Sequence, residues 1–229
     1  MKNIEKYCYW CGDAATSREH VPPKGLFNEL GNSNLKTVPS CTKHNEDFKL
    51  LDERFRFYLQ SVSDTNYSMA QYESTVNKIF LDPKKVKFSE SLKKTSNFEY
   101  INGEEKLVFD VDRDQQQRYF EKIIRGLYFL NQGKIIPEHL AVISFSEQFI
   151  SLNFDYEKHI SLLEKTIPIT KLEAGDSNNY NIFRYSYFKF SDSFYVIMTF
   201  YNFTVVRGLV FNMNKHNNEI NCGSRDLRR

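Results

Sequence analysis

The chain has 229 residues, of which 41% are apolar, 15% aromatic and 26% charged, with a net charge of +2. These are globular values; they exclude a disordered or fibrous chain and leave room for one large or two small domains, each with its own core. A near-neutral balance excludes a surface given over wholly to phosphate binding, so charge by itself neither supports nor excludes a nucleic-acid partner.

The first feature along the chain is a pair of short couples, Cys8-x-x-Cys11 and Cys41-x-x-His44. A tetrahedral structural zinc needs this spacing, because each knuckle turns two side chains toward one ion and the intervening chain closes a loop. Cys222 is the remaining cysteine; as an alternative fourth ligand it would release His44. Between the couples stands Glu19-His20, and Asn45 directly follows His44. A strand is expected through His20, then a polar, turn-rich loop at Asn28 to Asn34, then a strand at Leu35 to Pro39. A helix follows, with Asn45 as its expected cap and Glu46 and Asp47 in its first turn. Phe48, Leu51, Phe55 and Leu59 recur on it at helical spacing. Neighbouring side chains on a strand point to opposite faces. Glu19 and His20 therefore serve one ion only where the strand bends or ends, and Pro22-Pro23 offers an irregular end.

Ser61 to Thr65 is the expected boundary, giving domains at 1–62 and 66–229. The second part reads as helix at Ser68 to Phe80, a polar stretch through Asn97, strand at Lys106 to Val111, helix at Gln115 to Leu130 and strand at Leu140 to Phe145. A short helix is expected around Tyr156 to Lys165. Three strands follow from Asn181 to Asn212, with Ser191-Asp192-Ser193 and Asn202 as turns. Phe194 to Phe211 is strongly apolar, but Asn202, Thr204 and Arg207 and its strand-forming composition favour buried strands over a membrane span. Three cysteines at metal-site spacing do not form a disulfide framework, which places the chain in a reducing cytoplasm with no membrane association. Glu138-His139 repeats the Glu19-His20 dipeptide without cysteine couples or a following Asn, and reads as structural.

At Cys8-Tyr9-Trp10-Cys11-Gly12, Arg18-Glu19-His20-Val21-Pro22-Pro23-Lys24, Val38-Pro39-Ser40-Cys41-Thr42-Lys43-His44-Asn45 and Leu51-Asp52-Glu53-Arg54-Phe55 the chain resembles the HNH endonucleases with a zinc-stapled ββα-metal fold. The resemblance spans residues 7–58 and departs from the usual pattern in having Glu19 for Asp and His44 for Cys. It implies an α+β protein: an N-terminal HNH module with a structural zinc on Cys8, Cys11, Cys41 and His44, and a C-terminal mixed domain with antiparallel strands. It also implies an endonuclease in which Glu19 and Asn45 hold a catalytic Mg²⁺ or Mn²⁺ and His20 is the general base. The expected substrate is DNA, with RNA and a non-catalytic zinc module binding nucleic acid or protein as alternatives. Arg18, Lys24 and Lys49 are the expected phosphate contacts, and Asp52-Glu53 is either a solvent face or a clamp for a nearby cation. The C-terminal domain is expected to select substrate, gate the nuclease, or make a homodimer or another protein contact, in the manner of phage-defence and mobile-element nucleases.

Overall fold

The computed structural model describes residues 6–27, 35–63, 65–101, 103–146, 165, 167, 169–177, 179–189 and 193–212. It is a mixed α+β protein with antiparallel sheets. Strand, strand, helix is the order at the N-terminus. β1 (Ser17–His20) pairs with β2 (Thr37–Ser40), setting Glu19 opposite Val38 and His20 opposite Thr37.

The helix that follows differs from expectation. It begins four residues earlier, with Cys41 rather than Asn45 at the N-cap, and is broken at Phe48 into α1 (Thr42–Asp47) and α2 (Lys49–Ser61). Asn45 is not a cap: its backbone N–H already donates to the Cys41 carbonyl at 3.1 Å. The reason lies in the metal couple, since helical backbone over 41–44 is what brings side chains three apart to one side. The apolar stripe is as read: Phe48, Phe55 and Leu59 are fully buried.

α3 (Asn66–Phe80) starts at Thr65, whose hydroxyl accepts from the Ser68 N–H at 3.3 Å. The stretch expected to be merely polar instead carries α4 (Val86–Lys94) and then β3 (Ser96–Ile101), which pairs with β4 (Glu104–Phe109). Three lysines in α4 hide a minimal apolar stripe of Phe88 and Leu92 packed on the core. α5 (Arg113–Gln132) is capped by Asp112, whose side chain accepts from the Gln115 N–H at 2.8 Å, and ends at Gly133 in the left-handed region. A third, five-stranded sheet contains β5 (Leu140–Ser146), β6 (Glu173–Ala174), β7 (Phe183–Lys189), β8 (Phe194–Phe200) and β9 (Thr204–Asn212), in the order β5-β9-β8-β7-β6. The three strands expected over 181–212 are present, and Asn202 lies in the tight turn between β8 and β9, with Tyr201 and Asn202 both at positive φ. Of the helix expected at 156–165 only Lys165 is described, and it is helical, while the turn residues Ser191 and Asp192 fall outside the described residues. Among the described residues no helix is long and apolar enough to cross a membrane.

α5 sits at the centre. Tyr119, Phe120, Ile123, Ile124, Leu127, Tyr128 and Phe129 are buried around much of its circumference, as befits a helix covered by structure on several sides. The buried cluster runs without a break from Cys8, Tyr9 and Val38 through Phe55 and Phe120 to Val196 and Phe200. The expected boundary at 61–65 thus joins α2 to α3 within that continuous core. Gly126 permits the closest approach: a Cβ there would lie 2.5 Å from Val21 Cγ2, so α5 rests directly on the segment leaving β1.

Tyr201 ties the C-terminal sheet to the N-terminal half. Its buried hydroxyl donates to the Leu26 carbonyl at 2.7 Å and accepts from Gln60 Nε2 at 3.0 Å. Tyr201→Phe leaves that carbonyl without its partner and is expected to cost about 1–3 kcal/mol, readable in a denaturant titration.

Candidate metal centre and the face beside it

The ligand atoms of Cys8, Cys11, Cys41 and His44 all lie within 4.8 Å of one another. His44 Nδ1 is 3.2 Å from Cys41 Sγ and 3.7 Å from Cys8 Sγ, and the sulfurs of Cys11 and Cys41 are 4.0 Å apart. A zinc ion with bonds of about 2.3 Å to sulfur and about 2.0 Å to nitrogen has tetrahedral edges of roughly 3.5–3.8 Å, so this set can hold one. Local backbone builds the knuckle: Cys8 N–H donates to the Asp13 carbonyl at 2.7 Å and Gly12 N–H to the Cys8 carbonyl at 2.9 Å. Gly12 has φ +80°, a conformation the turn requires and other residues resist. Cys222, the alternative fourth ligand, lies outside the described residues.

The electrostatics suit an ion. Burial opposes ionisation of the Cys8 thiol, yet the backbone N–H groups of Cys11, Cys41 and Trp10 directed at it bring its pKa below the ordinary value. Burial, together with the Asp13 carboxylate and Cys8, pushes Cys11 up to about 12. A bound cation reverses that penalty, because a coordinating thiol is deprotonated outright. Burial and the neighbouring Lys43 lower the pKa of His44, favouring the neutral imidazole a metal needs. Trp10 stacks on that ring with centroids 5.6 Å apart, a packing role as expected, and Phe27 is buried.

β1 is a regular strand, so Glu19 and His20 face opposite ways. Glu19 turns inward and is only 7% exposed. There its Oε1 meets the ammonium of Lys122 at 3.2 Å, and the same ammonium reaches Asp52 Oδ2 at 2.6 Å. Asn45 donates through Nδ2 to Ser17 Oγ at 3.0 Å. The oxygen set expected to hold a catalytic Mg²⁺ or Mn²⁺ therefore does not fit as arranged: the cation facing Glu19 is an ammonium. Of the two readings of Asp52-Glu53, the clamp is the one realised. Asp52 holds Lys122, and Glu53 holds Lys85 and Arg56.

Burial pushes the Asp52 carboxyl up to about 6 from 3.8, against the downward pull of Lys122. The folded chain thus keeps a proton that the unfolded chain has released. This group favours the folded state most below about pH 4, and its contribution falls as pH rises toward about 6. Asp52→Asn is expected to flatten that limb in thermal melts recorded from pH 4 to 7.

His20 is half-buried on the other face of β1, which alternation makes common to Arg18 and to its cross-strand neighbour Thr37. Arg18 anchors there, donating from Nε to Thr37 Oγ1 at 2.7 Å. Burial lowers the His20 pKa; Glu19 raises it, while Lys24 and Lys122 lower it further. Lys24 is exposed, and Lys49 is exposed and paired with Glu46 at 2.5 Å. Glu138 and His139 are exposed in a turn before β5.

Lys122 is the residue that sequence reasoning missed. Arg118, Lys122 and Arg125 follow one another along a face of α5 and all meet the N-terminal part. Arg118 pairs with Asp47 at 3.7 Å, and Arg125 lies over the Trp10 ring at 4.7 Å. No local signal marked it: Glu121 and Arg125 stand in the same stretch from Tyr119 to Phe129, so Lys122 reads as one more charge on an amphipathic helix. Compared with family models, curated proteins and solved structures, the chain matches none.

Proposed function

We propose that the chain is a zinc-stapled phosphodiester hydrolase of the HNH kind acting on DNA, with His20 as the general base. The observation that carries this reading is the placement of His20, half-exposed beside Arg18 on a strand pinned next to the Cys₃His cluster. Hydrolysis of a phosphodiester needs water to lose a proton and the charge growing on phosphorus to be offset. A neutral imidazole at His20 takes the proton from water, and its lowered pKa keeps it neutral at physiological pH. Arg18, anchored to Thr37 through Nε and Nη2, has its remaining N–H groups for phosphate, and Lys24 offers a mobile positive charge. Zinc, fully engaged by four protein ligands, supplies scaffolding. The products are a 5′-phosphate and a 3′-hydroxyl. A setting in phage defence or a mobile element accords with this activity.

The test is incubation of the zinc-loaded protein with matched DNA and RNA, with and without Mg²⁺, Mn²⁺ or EDTA, followed by end-group analysis. Cleavage of DNA with the stated ends supports the proposal; preferential cleavage of RNA moves the same site to the other substrate. A second reading, a non-catalytic zinc module that binds nucleic acid or protein, draws support from the enclosure of Glu19 by Lys122 and Asp52. Tight binding with no cleavage under any of these conditions favours it.

A further inference from the structure

We propose that Lys122 is the built-in cation of this site: its ammonium takes the place beside Glu19 where the nuclease reading puts a divalent ion, so the folded chain holds no divalent ion on Glu19. The inference rests on the ion geometry and stands whether or not the chain cleaves nucleic acid.

Lys122 is 1% exposed, and a lysine so deeply enclosed persists only with its charge compensated. Its compensation comes from two carboxylates on the two kinds of element that flank the module, Glu19 on β1 and Asp52 on α2. The Phe48 ring centroid, 5.0 Å from Nζ, presents its negative face to the same ammonium. An ammonium is a compact point charge with no fixed fork, which makes it a fair substitute for a small ion between oxygens.

The surroundings are those of an oxygen-rich cation pocket. Asp52 Oδ1 and the Tyr9 hydroxyl are both buried with no hydrogen-bond partner among the described residues. Two carboxylates and a phenol are hard ligands of the type Mg²⁺ and Mn²⁺ select. With Lys122 in place, a divalent ion on the same oxygens would stand against a buried like charge, so lysine and metal exclude one another. Withdrawing the ammonium leaves two buried carboxylates close to one point without their counter-charge.

The test is Mn²⁺ binding to zinc-loaded full-length protein, followed by the loss of the free-ion signal in electron paramagnetic resonance. Wild type is expected to take up no Mn²⁺ that Glu19→Gln removes. Lys122→Met is expected to acquire a site at least about tenfold tighter than any in wild type, because the repelling charge is gone. The double variant Glu19→Gln/Lys122→Met is expected to lose that site again. A lysine serving only as a structural pin would weaken the fold without creating a metal site. Mn²⁺ held on Glu19 in wild type overturns the proposal, as does a folded Lys122→Met indifferent to Mn²⁺. Where Lys122→Met does not fold alone, refolding in Mn²⁺ decides: recovery supports the proposal, and failure to recover overturns it.

Discussion

Cys11→Ser, or removal of zinc by a strong chelator, is expected to unfold the N-terminal segment rather than merely loosen it. Zinc on a Cys₃His set contributes on the order of 10 kcal/mol or more, comparable with the whole stability of a domain. Besides the ligands, the knuckle is held by turn hydrogen bonds, by the Tyr9 N–H donating to the Pro39 carbonyl at 2.8 Å, by one antiparallel bridge between Tyr7 and Ala14, and by the burial of Cys8 and Tyr9. Without an ion the burdened thiol of Cys11 and its neighbours Cys8 and Cys41 have no common partner. The damage does not stay local. Cys8, Tyr9 and Val38 belong to the same buried cluster as Phe120 and Phe200, so circular dichroism should report loss of structure beyond the first sixty residues. Retention of fold and zinc content in Cys11→Ser would show that this sulfur carries no structural ion.

His20→Ala is expected to behave in the opposite way. Zinc content and melting temperature should hold, while cleavage falls by about 10²–10⁴, the usual contribution of a positioned proton acceptor. The pH profile gives a finer reading. The His20 pKa lies below 6.5, with burial as its largest cause and Lys24 among the others, so the rate should rise with pH to a plateau reached before neutrality. Removing the Lys24 charge in Lys24→Ala takes away a lowering influence, and the rising limb should move to higher pH. A limb that does not move, or cleavage that survives His20→Ala, would assign the base to another group.

Which parts of this arrangement the sequence discloses follows from how local their causes are. The metal couples are legible because a two-residue gap and a helical i, i+3 relation are local facts, and the cluster assembles with all four ligands in reach of one ion. The α5 helix and the strands over 181–212 are legible from periodicity and β-branched or aromatic content. Asn45 is misplaced by the same local logic. As an isolated residue it makes a good cap, yet the need to aim Cys41 and His44 together starts the helix at Thr42. Lys122 is the case that local logic cannot reach. Its partner Asp52 lies 70 positions away, and a single lysine on a helix reads as solvated until its packing is known. Glu19 suffers in turn: a buried carboxylate beside a histidine resembles half of a metal site until the ammonium opposite is seen.

Central to the account is one ion, expected on three sulfurs and one imidazole nitrogen, that would pin the hairpin displaying His20. X-ray absorption at the zinc edge of the purified chain tests it most directly. The expected spectrum has three sulfur neighbours at about 2.3 Å and one nitrogen at about 2.0 Å, with no open position. A first shell dominated by oxygen, or one with fewer than three sulfurs, would contradict it.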